Sequence, residues 1–178
     1  IMHDRAGYYI CWGCLVWLPV VYTSPALFIV NLPETLNYFT AFVVFVLGGA
    51  AILGNFWCDY QRMVLREEYQ KTKKLLSVGY IEAISKEGED CGNKYPLITT
   101  GLWGISRNFR YVLELLGAFL WTLPAGFFLP LPWFYFVFLT ILLVDRANRN
   151  DFRCHRRYKE DWVLYCKQVP YKIIPWIY

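Results

Sequence analysis

Three long stretches without a charged residue constrain the fold of this chain more than any other feature. They lie between Arg5 and Glu34, between Glu34 and Asp59, and between Glu114 and Asp145. Each is long enough to cross a bilayer, which takes roughly 20 apolar residues in a helix. The chain is 57% hydrophobic and only 18% charged, whereas a soluble domain has roughly 25% of charged residues. The predicted fold class is therefore all-α, a polytopic membrane helical bundle with short, proline-broken helices and a cytosolic basic C-terminal helix.

The three uncharged stretches predict four membrane spans, because prolines divide the last stretch into two. Pro19 and Pro25 interrupt the first stretch and predict a kinked or broken helix. Pro124, Pro130 and Pro132 divide the last stretch into two short helices, since it is too long for one span and too short for two full ones. The predicted spans are at about residues 9–30, 36–57, 112–129 and 132–150.

Two polar segments, 59–111 and 145–178, carry nearly all the Lys and Arg residues. The positive-inside rule therefore places both in the cytosol, on one side of the membrane. The first should begin as a helix that continues out of the bilayer and lead into a loop or hairpin near residues 79–93. Because the chain starts at Ile1 without a basic region before its first apolar run, we expect no signal peptide. We expect residues 1–178 to form one domain, the C-terminal part of a longer protein.

The cysteine and histidine residues do not predict a metal site or a disulfide framework. Cys11 and Cys14 form a CxxC, but it lies in an apolar segment without a second pair, which favours packed core cysteines. His3 and His155 are too few and too far apart in sequence for a metal site. The chain also lacks a phosphate loop, a Rossmann glycine pattern and a hydrolase elbow. We expect no metal and no nucleic-acid partner.

The tail from Asp145 to Tyr178 combines basic and aromatic residues at a predicted membrane boundary. Its arginines recur at steps of three and four residues and so share faces of a helix: Arg146, Arg149, Arg153, Arg156 and Arg157. Such a surface can bind anionic lipid, at about 1 kcal/mol per basic residue, or it can hold a phosphate-bearing cofactor. Asp151, Glu160 and Asp161 weaken the prediction of a pure lipid patch. The spacing alone leaves both interpretations open.

Glu114 stands at the start of an apolar stretch, where a carboxyl group is costly unless it is paired. It is therefore a candidate functional residue. The alternative is a structural pairing with Arg110, one helical turn earlier.

Four blocks of the sequence resemble the characteristic motifs of one enzyme family. HDRAGYYICWGCLVWLPVVYT, beginning at His3, resembles HDGFG…GD…W.P..Y, and YQRMVLR, beginning at Tyr60, resembles NxQKxxFR. LITTGLWGISRNFRY, beginning at Leu97, resembles LxxSGWWGxARHxNY. The tail resembles HRxxRDxxRCxxKYGxDWxxYxxxVPYRxxPxxY. These are motifs of the membrane sterol reductases, which include delta-14-sterol reductase, the lamin B receptor and 7-dehydrocholesterol reductase, and the chain is most similar to the last branch.

The resemblance implies a multi-pass enzyme of the endoplasmic reticulum membrane that acts in cholesterol-type sterol biosynthesis. It implies reduction of a sterol ring double bond, the delta-7 bond, with NADPH as cofactor. An isolated alkene is a poor hydride acceptor, so an acid must protonate it as the cofactor delivers hydride. The implied partners are the sterol substrate and membrane lipid, while protein partners are unknown.

Carried over position by position, the resemblance also implies site residues. The cofactor-binding set is Arg62, Arg66, Ile98, Trp103, Arg110, Tyr111, Asn150, Cys154, His155, Arg156, Arg157, Tyr158 and Tyr165. Asp4 and Glu114 fall on acidic positions of the family and are the candidate proton donors or relays. Tyr111, together with Tyr8, is a candidate phenol donor.

Five residues depart from the family pattern at matched positions. Cys14 and Asn150 each replace an Asp, Asn108 replaces a His, Arg110 replaces an Asn, and Lys159 replaces a Gly. These departures favour a second hypothesis, a non-catalytic sterol- or lipid-binding paralogue. A third hypothesis, a membrane methyltransferase with a similar basic tail, is disfavoured by the ending VPYKIIPWIY.

Overall fold

The computed structural model describes residues 11–30, 36–75, 78–87, 91–127 and 130–177. Within these ranges the chain is mostly helical and has one two-stranded antiparallel sheet. The elements in order are a π-helix Gly13–Tyr22, α1 Ser24–Val30, α2 Tyr38–Thr72, β1 Tyr80–Ile84, β2 Lys94–Ile98, α3 Leu102–Ile105, α4 Phe109–Thr122, a 3-10 turn Leu123–Ala125, α5 Pro130–Tyr158 and α6 Glu160–Gln168. The predicted helical membrane class is confirmed, and the segment expected to form a loop or hairpin near residues 79–93 forms a hairpin.

Within the described ranges, three helical segments are long and apolar enough to cross a membrane: Gly13–Val30, Tyr38–Thr72 and Pro130–Tyr158. They overlap the first, second and fourth predicted spans. The region of the remaining predicted span contains the 14 residues of α4, which end at the 3-10 turn. A crossing at residues 112–129 therefore stays a prediction.

The chain divides into two compact units, of which the first comprises Ile1–Ala50 and Leu115–Ile141. Pro19 lies inside the π-helix, and α1 begins after Thr23, so the first apolar stretch is interrupted where its prolines predict. Aromatic rings pack inside this unit, with Trp17 and Phe138 centroids 5.0 Å apart. Most apolar side chains on its helices are exposed, such as Phe45 at 78%. That exposure is expected of helix faces that meet lipid.

The second unit comprises Ala51–Glu114 and Leu142–Tyr178. Its hairpin pairs Tyr80 with Ile98 at one end and Ile84 with Lys94 at the other. The hairpin packs against α6 through an apolar cluster of Ala83, Tyr158, Trp162, Tyr165 and Val169. The backbone N–H of Ile84 also donates to Asp161 Oδ2 at 3.0 Å. These contacts fix the hairpin beside the basic tail.

A sharp backbone turn at Lys159 separates α5 from α6. Its φ of 47° lies in the left-handed region, which side chains other than glycine enter only at a cost. The turn lets α6 fold back beside the end of α5 and buries Trp162 and Tyr165.

The C-terminal segment after α6 binds the loop between α3 and α4. The backbone N–H groups of Arg107 and Asn108 donate to the carbonyls of Tyr171 and Lys172, each at 3.0 Å. Ile173 is almost fully buried. The segment therefore holds the position of this short loop.

Candidate functional site

A cavity of about 430 Å³ opens in the second unit. Its wall is formed by α2, β2, the α3–α4 region, α5 and α6. Six cationic side chains line it: Arg62, Arg66, Lys73, Lys94, Arg107 and Arg157. Among the described residues that line it, none is Asp or Glu. A concave surface with this charge attracts anions, and arginine forks are suited to phosphate groups.

Helix α2 supplies one side of the wall. Arg62 and Arg66 are one turn apart and therefore share a helix face, and Tyr69 and Lys73 continue that face for two more turns. Helix α2 ends at Thr72. The next residue, Lys73, has a φ of 57° and still lines the cavity.

Helices α5 and α6 supply the opposite side. Asn150, Cys154 and Arg157 follow one another at steps of four and three residues on α5 and share a face. Trp162 and Tyr165 reach the same cavity from α6 because the chain turns back at Lys159.

Three of the arginines lie against aromatic rings of the cavity wall. Such contacts are favourable and hold the guanidinium plane while leaving its N–H edge available for hydrogen bonds. The pairs are Arg62 with Trp103 at 5.1 Å, Arg107 with Trp162 at 6.0 Å and Arg157 with Tyr95 at 4.7 Å, measured from guanidinium carbon to ring centroid.

The cations differ in how far they are neutralised. Lys94 Nζ lies 3.0 Å from Glu82 Oε2, and Arg107 Nη1 lies 3.5 Å from Asp151 Oδ1. In the described part of the chain, no ion pair involves Arg62, Arg66 or Lys73. Concentrated positive charge without a counter-charge is unfavourable, so an anionic ligand would be stabilised here.

Two neutral groups add hydrogen-bonding capacity to the wall. Trp103 Nε1 is buried and has no partner among the described residues. Burial raises the pKa of Tyr165 to about 12, so its phenol stays protonated at physiological pH. The cavity therefore offers cations, aromatic faces and neutral donors together.

The structure brings most of the predicted cofactor-binding residues to this cavity: Arg62, Arg66, Ile98, Trp103, Asn150, Cys154, Arg157, Tyr158 and Tyr165. Arg110 instead pairs with Asp59 at 3.0 Å. Tyr111 is buried in α4 and does not line the cavity, and its backbone N–H donates to the carbonyl of the lining residue Asn108 at 2.9 Å. His155 and Arg156 face a separate surface depression, where Arg156 pairs with Glu87.

The structure describes only some of the candidate proton donors. Asp4 and Tyr8 lie outside the described residues. Glu114 is partly buried in α4. Its alternative pairing with Arg110 is not formed, because Arg110 binds Asp59. Within the described part of the chain, Glu114 has no hydrogen-bond or ion-pair partner.

Sequence reasoning missed several lining residues: Tyr69, Gln70, Lys73, Lys94, Tyr95, Pro96, Leu97, Arg107, Asn108 and Trp162. Helical spacing could have found Lys73, because it continues the face of Arg62 and Arg66. Arg107 lies inside the motif block that begins at Leu97, and Trp162 is one of the aromatic residues of the basic tail. Lys94, Tyr95 and Pro96 of β2 carry no usable signal, because their approach to the cavity depends on the register of the hairpin.

Comparison with known proteins relates the whole chain to one group. A family model described as "Ergosterol biosynthesis ERG4/ERG24 family" matches residues 1–178. The chain is 46% identical to a 7-dehydrocholesterol reductase from Arabidopsis thaliana, 37% identical to a Delta(14)-sterol reductase from Methylotuvimicrobium alcaliphilum and 34% identical to a 7-dehydrocholesterol reductase from Xenopus laevis. Each comparison covers 100% of this chain and, respectively, 41%, 40% and 38% of the relative. The chain therefore spans about 40% of the length of these curated relatives.

Proposed function

This chain belongs to the ergosterol biosynthesis ERG4/ERG24 family of sterol reductases, and on that premise we propose that it provides the NADPH-binding site of an enzyme that reduces a sterol ring double bond. The observation that carries the proposal is the cavity lined by six cations and, among the described lining residues, by no carboxylate. NADPH carries a diphosphate and a further phosphate on its adenosine ribose. A phosphate-rich cofactor is therefore the ligand class that the wall suits best.

The residues present fit the other parts of this cofactor as well. Trp103 and Tyr95 offer flat faces for its aromatic rings. The buried, unpartnered Trp103 Nε1 offers a donor for a ribose or amide oxygen. Arg62 and Arg66, one turn apart on α2, could hold one phosphate group between them. When bound, the cofactor supplies the hydride of the reduction.

The alkene must gain cation character before it accepts hydride, so the site also needs a proton donor that water does not reach. Glu114 is the best-placed candidate in the described part of the chain, because it is partly buried and unpaired. Tyr111 lies three residues earlier on α4 and therefore shares its face. We propose that Glu114 holds the proton and that Tyr111 is a second donor or relay.

We propose the delta-7 bond as the site of reduction. The identity of 46% to the 7-dehydrocholesterol reductase from Arabidopsis thaliana, against 37% to the Delta(14)-sterol reductase, supports this choice, whereas the 7-dehydrocholesterol reductase from Xenopus laevis, at 34%, does not discriminate between the two bonds. The sterol would reach the site from the lipid, because α2 and α5, which both contribute lining residues, are long and apolar enough to span a membrane. We further propose the endoplasmic reticulum membrane as its location.

The test expresses the complete coding sequence in membranes that lack endogenous sterol reductases. NADPH is supplied with 7-dehydrocholesterol and, separately, with a delta-14 sterol, and products are identified by mass spectrometry. We expect the delta-7 bond to be reduced. A variant that combines Arg62→Gln with Arg66→Gln should lose product formation at limiting NADPH.

The alternative is a non-catalytic sterol- or lipid-binding paralogue, which Asn150 favours, since it lines the cavity where the family has Asp. The same assay separates the two. No product from either sterol, with folded protein that still binds sterol, would support the paralogue and reject the reductase.

A further inference from the structure

We propose that Asp151 is a positioning residue of this cavity: from behind the wall, it holds Arg107 and Trp162 in the orientation that a phosphate-bearing cofactor requires. The inference rests on the proposed function. Asn150 lines the cavity, and Asp151, the next residue on α5, does not. The carboxylate therefore acts through its neighbours and would not touch the ligand.

Both carboxylate oxygens of Asp151 have polar partners. Trp162 Nε1 donates to Asp151 Oδ1 at 3.2 Å, and Arg107 Nη1 lies 3.5 Å from the same oxygen. On the other side, Lys172 Nζ lies 3.6 Å from Asp151 Oδ2. Arg107 and Trp162 also lie against each other, with the guanidinium carbon 6.0 Å from the ring centroid. A single carboxylate thus orients both members of a stacked pair in the wall.

Arg107 depends on this carboxylate more than the exposed cations depend on theirs. Its side chain is only 8% exposed, and its Nε has no hydrogen-bond partner among the described residues. Its remaining partners are neutral: the carbonyl of Pro170, at 3.3 Å from Nη2, and Cys166 Sγ. Burial raises the pKa of the Cys166 thiol, so Cys166 supplies no charge. Within the described part of the chain, Asp151 is therefore the only carboxylate that pairs with Arg107.

The C-terminal segment joins the same network. Lys172 Nζ donates to Asn148 Oδ1 at 3.1 Å, and the Lys172 carbonyl accepts from both the backbone N–H and the side-chain amide of Asn108. Asn108 lines the cavity beside Arg107. Asp151 therefore links α5, α6 and the C-terminal segment to the loop that carries these two lining residues.

The experiment measures NADPH affinity, by cofactor fluorescence, on the purified full-length protein in nanodiscs. Asp151→Asn keeps an oxygen that can accept from Trp162 but removes the charge that pairs with Arg107. We expect NADPH to bind about tenfold more weakly, the scale of one charge-assisted hydrogen bond, and the melting temperature to fall, because the mostly buried Arg107 loses its paired charge. The matched control is Asp145→Asn, which breaks an exposed ion pair with Arg149 on the same helix and should leave affinity unchanged.

A second comparison separates positioning from a general loss of structure. If Asp151 acts through Arg107, then adding Asp151→Asn to Arg107→Gln should weaken NADPH binding no further than Arg107→Gln alone. The double variant also leaves no buried charge of this pair unmatched, so it keeps the test available if Asp151→Asn alone fails to fold.

Two results would overturn the inference: wild-type affinity in a folded Asp151→Asn variant, or a further loss when it is added to Arg107→Gln. A wild-type protein that is folded but binds no NADPH would instead reject the proposed function, and this inference with it.

Discussion

Arg110 Nη1 lies 3.0 Å from Asp59 Oδ1, and the pair joins the start of α4 to α2. Arg110 stands where the family motif HxNY has Asn. When Arg62 and Arg66 are aligned with the Lys and Arg of NxQKxxFR, the opening Asn of that motif falls on Asp59, directly before Tyr60. Two neutral residues of the family are thus replaced by two opposite charges that meet. The departure at Arg110 is compensated within the same unit, so it carries less weight against catalysis than an isolated change would.

A double-mutant cycle tests whether the two substitutions are coupled. Arg110→Asn and Asp59→Asn should each lower the free energy of unfolding, because each leaves one charge without its partner. The pair is partly exposed, with side chains 31% and 51% accessible, so we expect a coupling of only about 0.5–1 kcal/mol. The double variant should therefore be more stable than the sum of the single changes predicts. Strict additivity in denaturant unfolding of the solubilised protein would argue against compensation.

Trp103→Ala should weaken NADPH binding by roughly tenfold or more, because it removes a stacking face and an indole donor. Trp103 is 6% exposed and packs with Cys58 and Ile98, so the melting temperature should fall as well. Trp103→Phe keeps most of that packing and isolates the loss of the indole N–H. Trp176→Ala, at a residue that is 85% exposed, is the control. Unchanged affinity in folded Trp103 variants would remove this residue from the site.

Asn150→Asp should strengthen NADPH binding. Asn150 lines the cavity, and a carboxylate there could accept a charge-assisted hydrogen bond from a ribose hydroxyl or an amide, worth about 1–3 kcal/mol. The six lining cations would keep this carboxylate ionised, as that hydrogen bond requires. Titration of both proteins with NADPH under the same salt conditions checks this. An equal or weaker affinity in the variant would place the ribose or amide elsewhere.

The helical half of the cavity could be predicted from the sequence, and the other half could not. Arg62 and Arg66 share a face by spacing alone, as do Asn150, Cys154 and Arg157 on α5. The contribution of Lys94 and Tyr95 depends on hairpin pairing with Ile84 and Ala83, which lie ten and twelve positions earlier. No local pattern encodes such a contact.

The glycines of α2 also show that a sequence pattern does not place a tertiary contact. Gly48, Gly49 and Gly54 together predict close helix contact. Only at Gly54 would an added Cβ meet a neighbour, Leu113 Cδ1 at 3.2 Å, while the space beside Gly48 and Gly49 is open among the described residues. Composition indicates where close packing is permitted, and the position of the partner helix decides where it occurs.

Lys159→Gly should stabilise the protein. Lys159 has a φ of 47° at the junction of α5 and α6, in a region that costs a side chain roughly 1–2 kcal/mol and glycine almost nothing. Glycine loses more entropy on folding, so we expect a net gain of about 1 kcal/mol. The family motif has Gly at this position, which the geometry explains. Lys167→Gly, inside α6, is the matched control and should be destabilising. A Lys159→Gly variant that melts no higher than wild type would contradict the proposed backbone strain at Lys159.

Tyr165→Phe should reduce the loss of stability in alkali. Burial raises the pKa of Tyr165 to about 12 in the folded protein, against 10.0 for an unperturbed tyrosine. Between these two pH values the unfolded state releases the proton while the folded state keeps it. The unfolded state then binds fewer protons, so stability falls as pH rises.

The contribution of the Tyr165 phenol is therefore fully present below pH 10 and is lost as the pH approaches 12. At about pH 11 the wild type should have lost about 1 kcal/mol relative to Tyr165→Phe, compared with the same difference measured at about pH 8. Melting curves of both proteins at the two pH values measure this. Tyr171→Phe, at a residue that lies outside the cavity lining, controls for general alkaline damage. Parallel losses in wild type and Tyr165→Phe would mean that the phenol is not held in a buried, neutral state.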